Sequence, residues 1–176
     1  RSSVITIGSR GKDKKMVLAR QVALMCCRDL QSFTVIEDSG FCAFLLQNSI
    51  VKNDDEIPTA DAISRSALND IYDATYQAVQ RKIEKAPRTV AMTTDMWTDN
   101  YRRRSYITFT LHFCDENYEL QSITLRTALF DQSHTGENIK HAMDTTTEKF
   151  GLCTKNIIYV TDNGSNILKA CRLAKV

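Results

Sequence analysis

With 176 residues, 43% of them hydrophobic and 25% charged, the chain can hold one ordinary domain or two small ones around a real core, which excludes a disordered tail. A formal net charge of +2 does not announce a nucleic-acid binder, so the placement of Lys and Arg carries more than their sum. No run of about 18 apolar residues and no N-terminal signal core occur, and the chain is read as soluble, intracellular and without a membrane partner.

Residues Arg1 to Lys15 are polar, contain Gly8 and Gly11, and cluster Arg10, Lys12, Lys14 and Lys15. They are expected to form a flexible basic lead-in, read either as a solvated linker or as a DNA-phosphate contact or nuclear address through Lys14 and Lys15. Apolar residues at Val17, Leu18, Val22, Leu24, Met25 and Cys26 then predict a helix over 16–30. An apolar patch, Phe33–Glu37, leads to a turn where Asp38 or Ser39 is placed to cap a second helix, about Gly40 to Gln47. Asn48 to Glu56 reads as a polar loop. Pro58-Thr59-Ala60-Asp61 is a helix start with Thr59 as N-cap, and the stripe Ile63, Ala67, Leu68, Ile71, Ala74, Val79, Ile83 carries a long helix to Lys85. That stripe suits packing within the unit or a dimer surface. Helical spacing alone does not separate the two.

After Pro87 the period changes from helical to strand-like. Thr89–Thr94 reads as a strand delivering Asp95 at its carboxyl end, with the basic run Arg102-Arg103-Arg104 beyond it. Ser105–Phe113 alternates cleanly, turns at Cys114–Asn117 and pairs with a strand over Tyr118–Phe130 as a hairpin. Ser133–Glu137 opens a helix that Gly151 ends. A strand over Asn156–Thr161 then ends in Thr161-Asp162-Asn163-Gly164, and a last helix starts from Asn163. Six cysteines without a C-x-x-C spacing are read as buried reduced thiols, and the three histidines are not spaced with them as zinc ligands.

The order strand, strand, strand, helix, strand, helix predicts a mixed sheet after an N-terminal helical unit, an α+β chain overall. In a ribonuclease H arrangement, Asp95 and Asp162 end on neighbouring strands, and two such carboxylates suit a hard divalent cation, Mg²⁺ or Mn²⁺. No third acid stands at a comparable position: Asp99, Glu137 and Glu148 are more simply solvated or capping. From residues alone, Asp162-Asn163-Gly164 reads equally as an ordinary strand-to-helix turn. Trp97 is either a core anchor or a stacking platform, and Arg102–Arg104 are either phosphate contacts or an exposed charged loop.

Val90-Ala91-Met92-Thr93-Thr94-Asp95-Met96-Trp97-Thr98-Asp99, with Tyr159-Val160-Thr161-Asp162-Asn163-Gly164-Ser165-Asn166, resembles the two N-terminal catalytic blocks of the hAT superfamily of DNA transposases. Phe33–Phe41, Ser105-Tyr106-Ile107 and His134-Thr135-Gly136-Glu137-Asn138-Ile139 fit the same pattern, with Ser32 where proline is usual. The resemblance implies a flexible segment at 1–15, a helical DNA-binding and dimer-forming segment at 16–86 and the first part of a ribonuclease H-like catalytic domain at 87–176. It makes Asp95 and Asp162 the first two acids of a DDE metal site for cut-and-paste transposition. The third, a Glu, is expected beyond this chain, which then reads as an N-terminal part of a longer protein, inactive alone. The implied partners are transposon-end DNA and a second copy or higher oligomer, the implied location is the nucleus, and the alternative is a domesticated DNA-binding or transcriptional relative without catalysis.

Overall fold

The computed structural model describes residues 12–174. The basic lead-in expected over residues 1–15 lies outside the described residues up to position 11. From Lys12 the chain is already helical, because Lys is a good helix former and one intervening Asp does not break the run.

The chain divides into two compact units between Tyr76 and Gln77. In the first, α1 (Lys12–Asp29) and α2 (Ser39–Gln47) flank a 3₁₀ turn, Phe33–Glu37, where an apolar patch leading to a turn was expected. Ser32 starts that turn by accepting the Thr34 amide on its hydroxyl. Asp38 occupies the N-cap position of α2 but its side chain makes no cap bond, so position alone did not identify the capping group. Asp54–Glu56 forms a short 3₁₀ turn within the expected loop. Thr59 caps α3 (Ala60–Ala62) by accepting the Ala62 amide at 3.1 Å. A π-helical turn, Ile63–Ala67, follows and runs into α4 (Leu68–Lys85). Ala19, Val22, Ala23, Cys26, Ile36, Leu45, Val51, Ile63 and Ala67 close this unit's core.

The unit division falls inside α4 rather than at Pro87. A proline shows where a helix stops but not which core its last turns join, and Ile83 is buried while Lys82 bonds Gln121 of the second unit.

In the second unit, β1 (Thr89–Asp99), β2 (Arg104–Cys114), β3 (Leu120–Leu129) and β4 (Asn156–Val160) form one sheet in the order β3-β2-β1-β4. β1 is antiparallel to β2 and parallel to β4. α5 (Gly136–Lys149) crosses between β3 and β4, and α6 (Ser165–Leu173) follows β4. Period-two alternation sorts the faces. Val90, Met92, Thr94, Ile107, Phe109, Leu111 and Phe113 are buried on one, and Met96 and Thr98 of that face line a crevice together with Ile139 and Ile167 of the helices. The other face carries Thr93, Asp95, Thr108, Thr110 and His112. β3 starts two residues later than expected because Asp115 organises a longer turn, accepting the amides of Asn117 and Glu119 while Tyr118 takes a φ of 60°. Gly151, at a φ of 67°, ends α5.

The cysteines depart from expectation. All six are free, and Cys26 is buried, but Cys27, Cys114 and Cys153 are exposed. Adjacent residues on a helix face different ways, so Cys26 and Cys27 cannot share one environment.

Candidate metal centre at the carboxyl ends of the parallel strands

The parallel ladder between β1 and β4 runs from Thr89 opposite Asn156 to Thr93 opposite Val160. Asp95 and Asp162 each lie two positions beyond that last pair, on strands spaced about 4.8 Å apart. A common register therefore brings both carboxylates to one end of the sheet. The strand end is nevertheless one-sided. β1 continues to Asp99 in its ladder with β2, where Asp95 stands opposite Thr108, so the strand that was expected to stop at Asp95 stops only for β4. Pairing across the antiparallel edge holds the longer strand.

Asp95 is exposed and its carboxylate has no hydrogen bond or ion pair among the described residues. The strands below it are well tied: Thr93 Oγ1 lies 3.0 Å from His112 Nε2, and His112 Nδ1 lies 2.9 Å from Ser122 Oγ, so one imidazole spans three strands. Asp162 is held differently. Its Oδ1 accepts the Gly164 N–H at 3.1 Å, in a turn where Asn163 has a φ of 65°, and α6 begins at the next residue. A side chain on Gly164 would place its Cβ 3.3 Å from that oxygen.

The chemistry of these donors fits a hard cation. Mg²⁺ is commonly held by one or two carboxylates, with water and substrate phosphate completing its shell. Among the described residues no group of three or more His, Cys, Asp or Glu stands together, so a full two-ion acid triad is not assembled by them. The other acids near the sheet end have local work. Asp99 Oδ1 accepts the amides of Tyr101 and Arg102 at 3.0 and 3.2 Å, and Glu137 pairs with Lys169 at 2.6 Å. That lysine holds the Glu137 carboxyl below its usual range.

Arg102 and Arg103 lie in the exposed β1–β2 turn, with Arg103 at a φ of 50°, and the exposed Arg104 opens β2 opposite Asp99. The four residue steps from Asp95 to Asp99 span about 13 Å, so these arginines are not beside the carboxylate pair. Trp97, 43% exposed, stacks on Tyr106 at 5.5 Å between the carboxylate and the arginine turn. This exposure excludes the core-anchor reading. Lys14 and Lys15 belong to the first unit: Lys14 is exposed, and Lys15 Nζ donates to the Asp55 carbonyl at 2.7 Å. A crevice of about 280 Å³ opens at the same sheet end, lined by Met96, Trp97, Thr98, His134, Gly164 and Asn166 among others. The Thr93–His112–Ser122 bridge and the close approach at Gly164 had no motif to signal them, although the alternation over 105–113 did place His112 on the face with Thr108 and Thr110.

A mixed sheet of this order, with the crossover helix and an Asp at each parallel strand end, defines an RNase-like domain, and residues 93–175 match the ZBED1 RNase-like domain family. Beyond that domain, the chain is similar to hAT transposase-related proteins. It is 28% identical to the Transposable element Hobo transposase of Drosophila melanogaster over 174 residues, covering 90% of this chain and 26% of that protein. It is 26% identical to Zinc finger BED domain-containing protein 4 of Homo sapiens over 157 residues, covering 82% of this chain and 13% of that protein. The chain thus spans about a quarter or less of the length of these relatives.

Proposed function

We propose that this chain supplies the first two acids of a DDE-type, metal-dependent DNA-processing site, Asp95 and Asp162, and belongs to a protein that cuts and joins transposon-end DNA in the nucleus. The observation that carries the reading is the shared register: both acids stand two positions past the end of one parallel ladder. Mg²⁺ or Mn²⁺, when bound, supplies Lewis-acid stabilisation to the attacking and leaving oxygens of phosphoryl transfer. Asp95 contributes a carboxylate fixed by a doubly paired strand, and Asp162 contributes one with Oδ1 restrained by Gly164. The exposed Arg102–Arg104 run contacts DNA phosphates about four nucleotides from the scissile position, given about 13 Å of strand and 3.4 Å of rise per nucleotide. Lys14 and Lys15, and assembly into a dimer or higher oligomer, add further DNA contacts.

On this reading the 176-residue chain binds DNA but does not cleave it, because two carboxylates leave a two-ion site under-coordinated. Salt-titrated binding to transposon-end duplex tests the DNA contact. Replacing Arg102, Arg103 and Arg104 together with Ala is expected to reduce the salt slope by about 2–3, and an unchanged affinity and slope would refute it. Robust Mn²⁺-dependent cleavage by the chain alone, lost in Asp95→Ala, would overturn the inactivity of the isolated chain. The similarity to a BED zinc-finger protein supports a second reading, a regulatory DNA-binding relative without catalysis. An otherwise intact parent protein that binds the duplex yet never cleaves it would favour that reading.

A further inference from the structure

Gly136, the buried first residue of α5, meets α6 at unusually short range. A Cβ built on it would lie 2.7 Å from Lys169 Cγ and 2.8 Å from both Lys169 Cβ and Cδ. Lys169 Cβ sits against its own helix backbone, so the contact cannot be relieved by swinging the far end of the side chain alone. The same lysine reaches on to Glu137, the next residue of α5, with its ammonium 2.6 Å from the carboxylate. α6 is therefore seated on the first turn of α5 by the stem and the head of one side chain. Lys169 lies four residues, about 6 Å of rise, from Ser165, where α6 starts directly after the Asp162 turn. Ile167 and Ala170, buried on either side of Lys169 in sequence, make this a packed segment that shifts as a body.

We propose that Gly136 is a positioning residue for Asp162: its missing side chain lets Lys169 seat α6 close to α5, and α6 in turn sets the Gly164 amide that holds Asp162 Oδ1. This rests on the reading of Asp162 as a metal ligand, and it adds the element that aims that ligand. The exposed Glu137–Lys169 pair contributes little by itself, because solvent screens it. The close approach at Gly136 is the part that matters.

The test uses the 176-residue chain, Mn²⁺ as the probe, and two readouts, the Mn²⁺ dissociation constant and the NMR shift and exchange protection of the Gly164 amide. Gly136→Ala is expected to weaken Mn²⁺ binding about tenfold, as changes behind metal ligands commonly do, and to shift and deprotect the Gly164 amide. Lys169→Gly removes all three crowding atoms, so adding Gly136→Ala in that background is expected to change both readouts less than twofold. This cycle separates positioning from a general loss of folding, which would affect both backgrounds alike. A Gly164 amide indifferent to Gly136→Ala, or an equal loss in both backgrounds, overturns the proposal. Mn²⁺ binding indifferent to Asp162→Asn would instead overturn the metal reading, while the Gly164 amide would still judge the contact between α5 and α6.

Discussion

Asp95 and Asp162 reach the same level of the sheet by different means. Asp95 projects from a strand paired on both sides up to Thr93 and on one side beyond it, and its carboxylate makes no hydrogen bond or ion pair among the described residues. Asp162 stands past the end of a five-residue strand that has one neighbour, and its carboxylate is restrained by a turn into α6. One acid is placed by the sheet, the other by a helix. Perturbations should therefore separate them: core substitutions under β1 should disturb Asp95 through the fold, and changes around Gly164 should disturb Asp162 with little effect on stability.

The largest expected effect comes from Met92→Ala, a fully buried side chain under β1. It should cost about 2–5 kcal/mol in denaturant unfolding, and loss of metal binding should track loss of folded protein. Gly164→Ala should act the opposite way. Its φ of −55° accepts alanine, so stability should change by less than about 1 kcal/mol, while Mn²⁺ affinity should fall about tenfold because the new Cβ presses on Asp162 Oδ1. Thr94→Val should be nearly neutral, or stabilising by up to about 1 kcal/mol. Thr94 Oγ1 is buried without a hydrogen-bond partner, and the neighbouring Asp95 points to the other face, so metal affinity should not move.

The smallest effect should come from Asp115, a third aspartate that serves only a turn. The Glu119 and Asn117 amides and the Gln121 side chain hold its carboxyl below its ordinary value near 3.8. A depressed folded value contributes stability that is present above pH 3.8 and lost as pH falls through the lower folded value. The β2–β3 turn should thus loosen only under strong acid, and Asp115→Asn should remove that acid-dependent step in an NMR pH titration without altering Mn²⁺ binding.

Much of this arrangement was readable from residue patterns. The change of period at Pro87, the alternation over Ser105–Phe113 and the two Thr-Asp strand ends gave the strands, and a ribonuclease H arrangement of them placed Asp95 and Asp162 on neighbours, as the sheet order has it. Thr59 and Gly151 were correctly placed as helix boundaries because capping depends on local chemistry. Features set by partners far along the chain were not legible. β1 runs past Asp95 because β2 pairs with it there, the 3₁₀ turn at Phe33–Glu37 is a packing outcome around buried Ile36, and Gly136 matters only because Lys169 lies across it. Arg102–Arg104 looked adjacent to the site in sequence, but an extended strand turns a few residues into about 13 Å.

The central claim is that Asp95 and Asp162 hold one ion together. Mn²⁺ titrated into the isotope-labelled chain should broaden the amide signals around both residues over the same concentration range, and Asp95→Asn or Asp162→Asn should each abolish the broadening at both. Broadening at one acid that survives loss of the other, or confined to a distant carboxylate such as Asp115, would contradict the account.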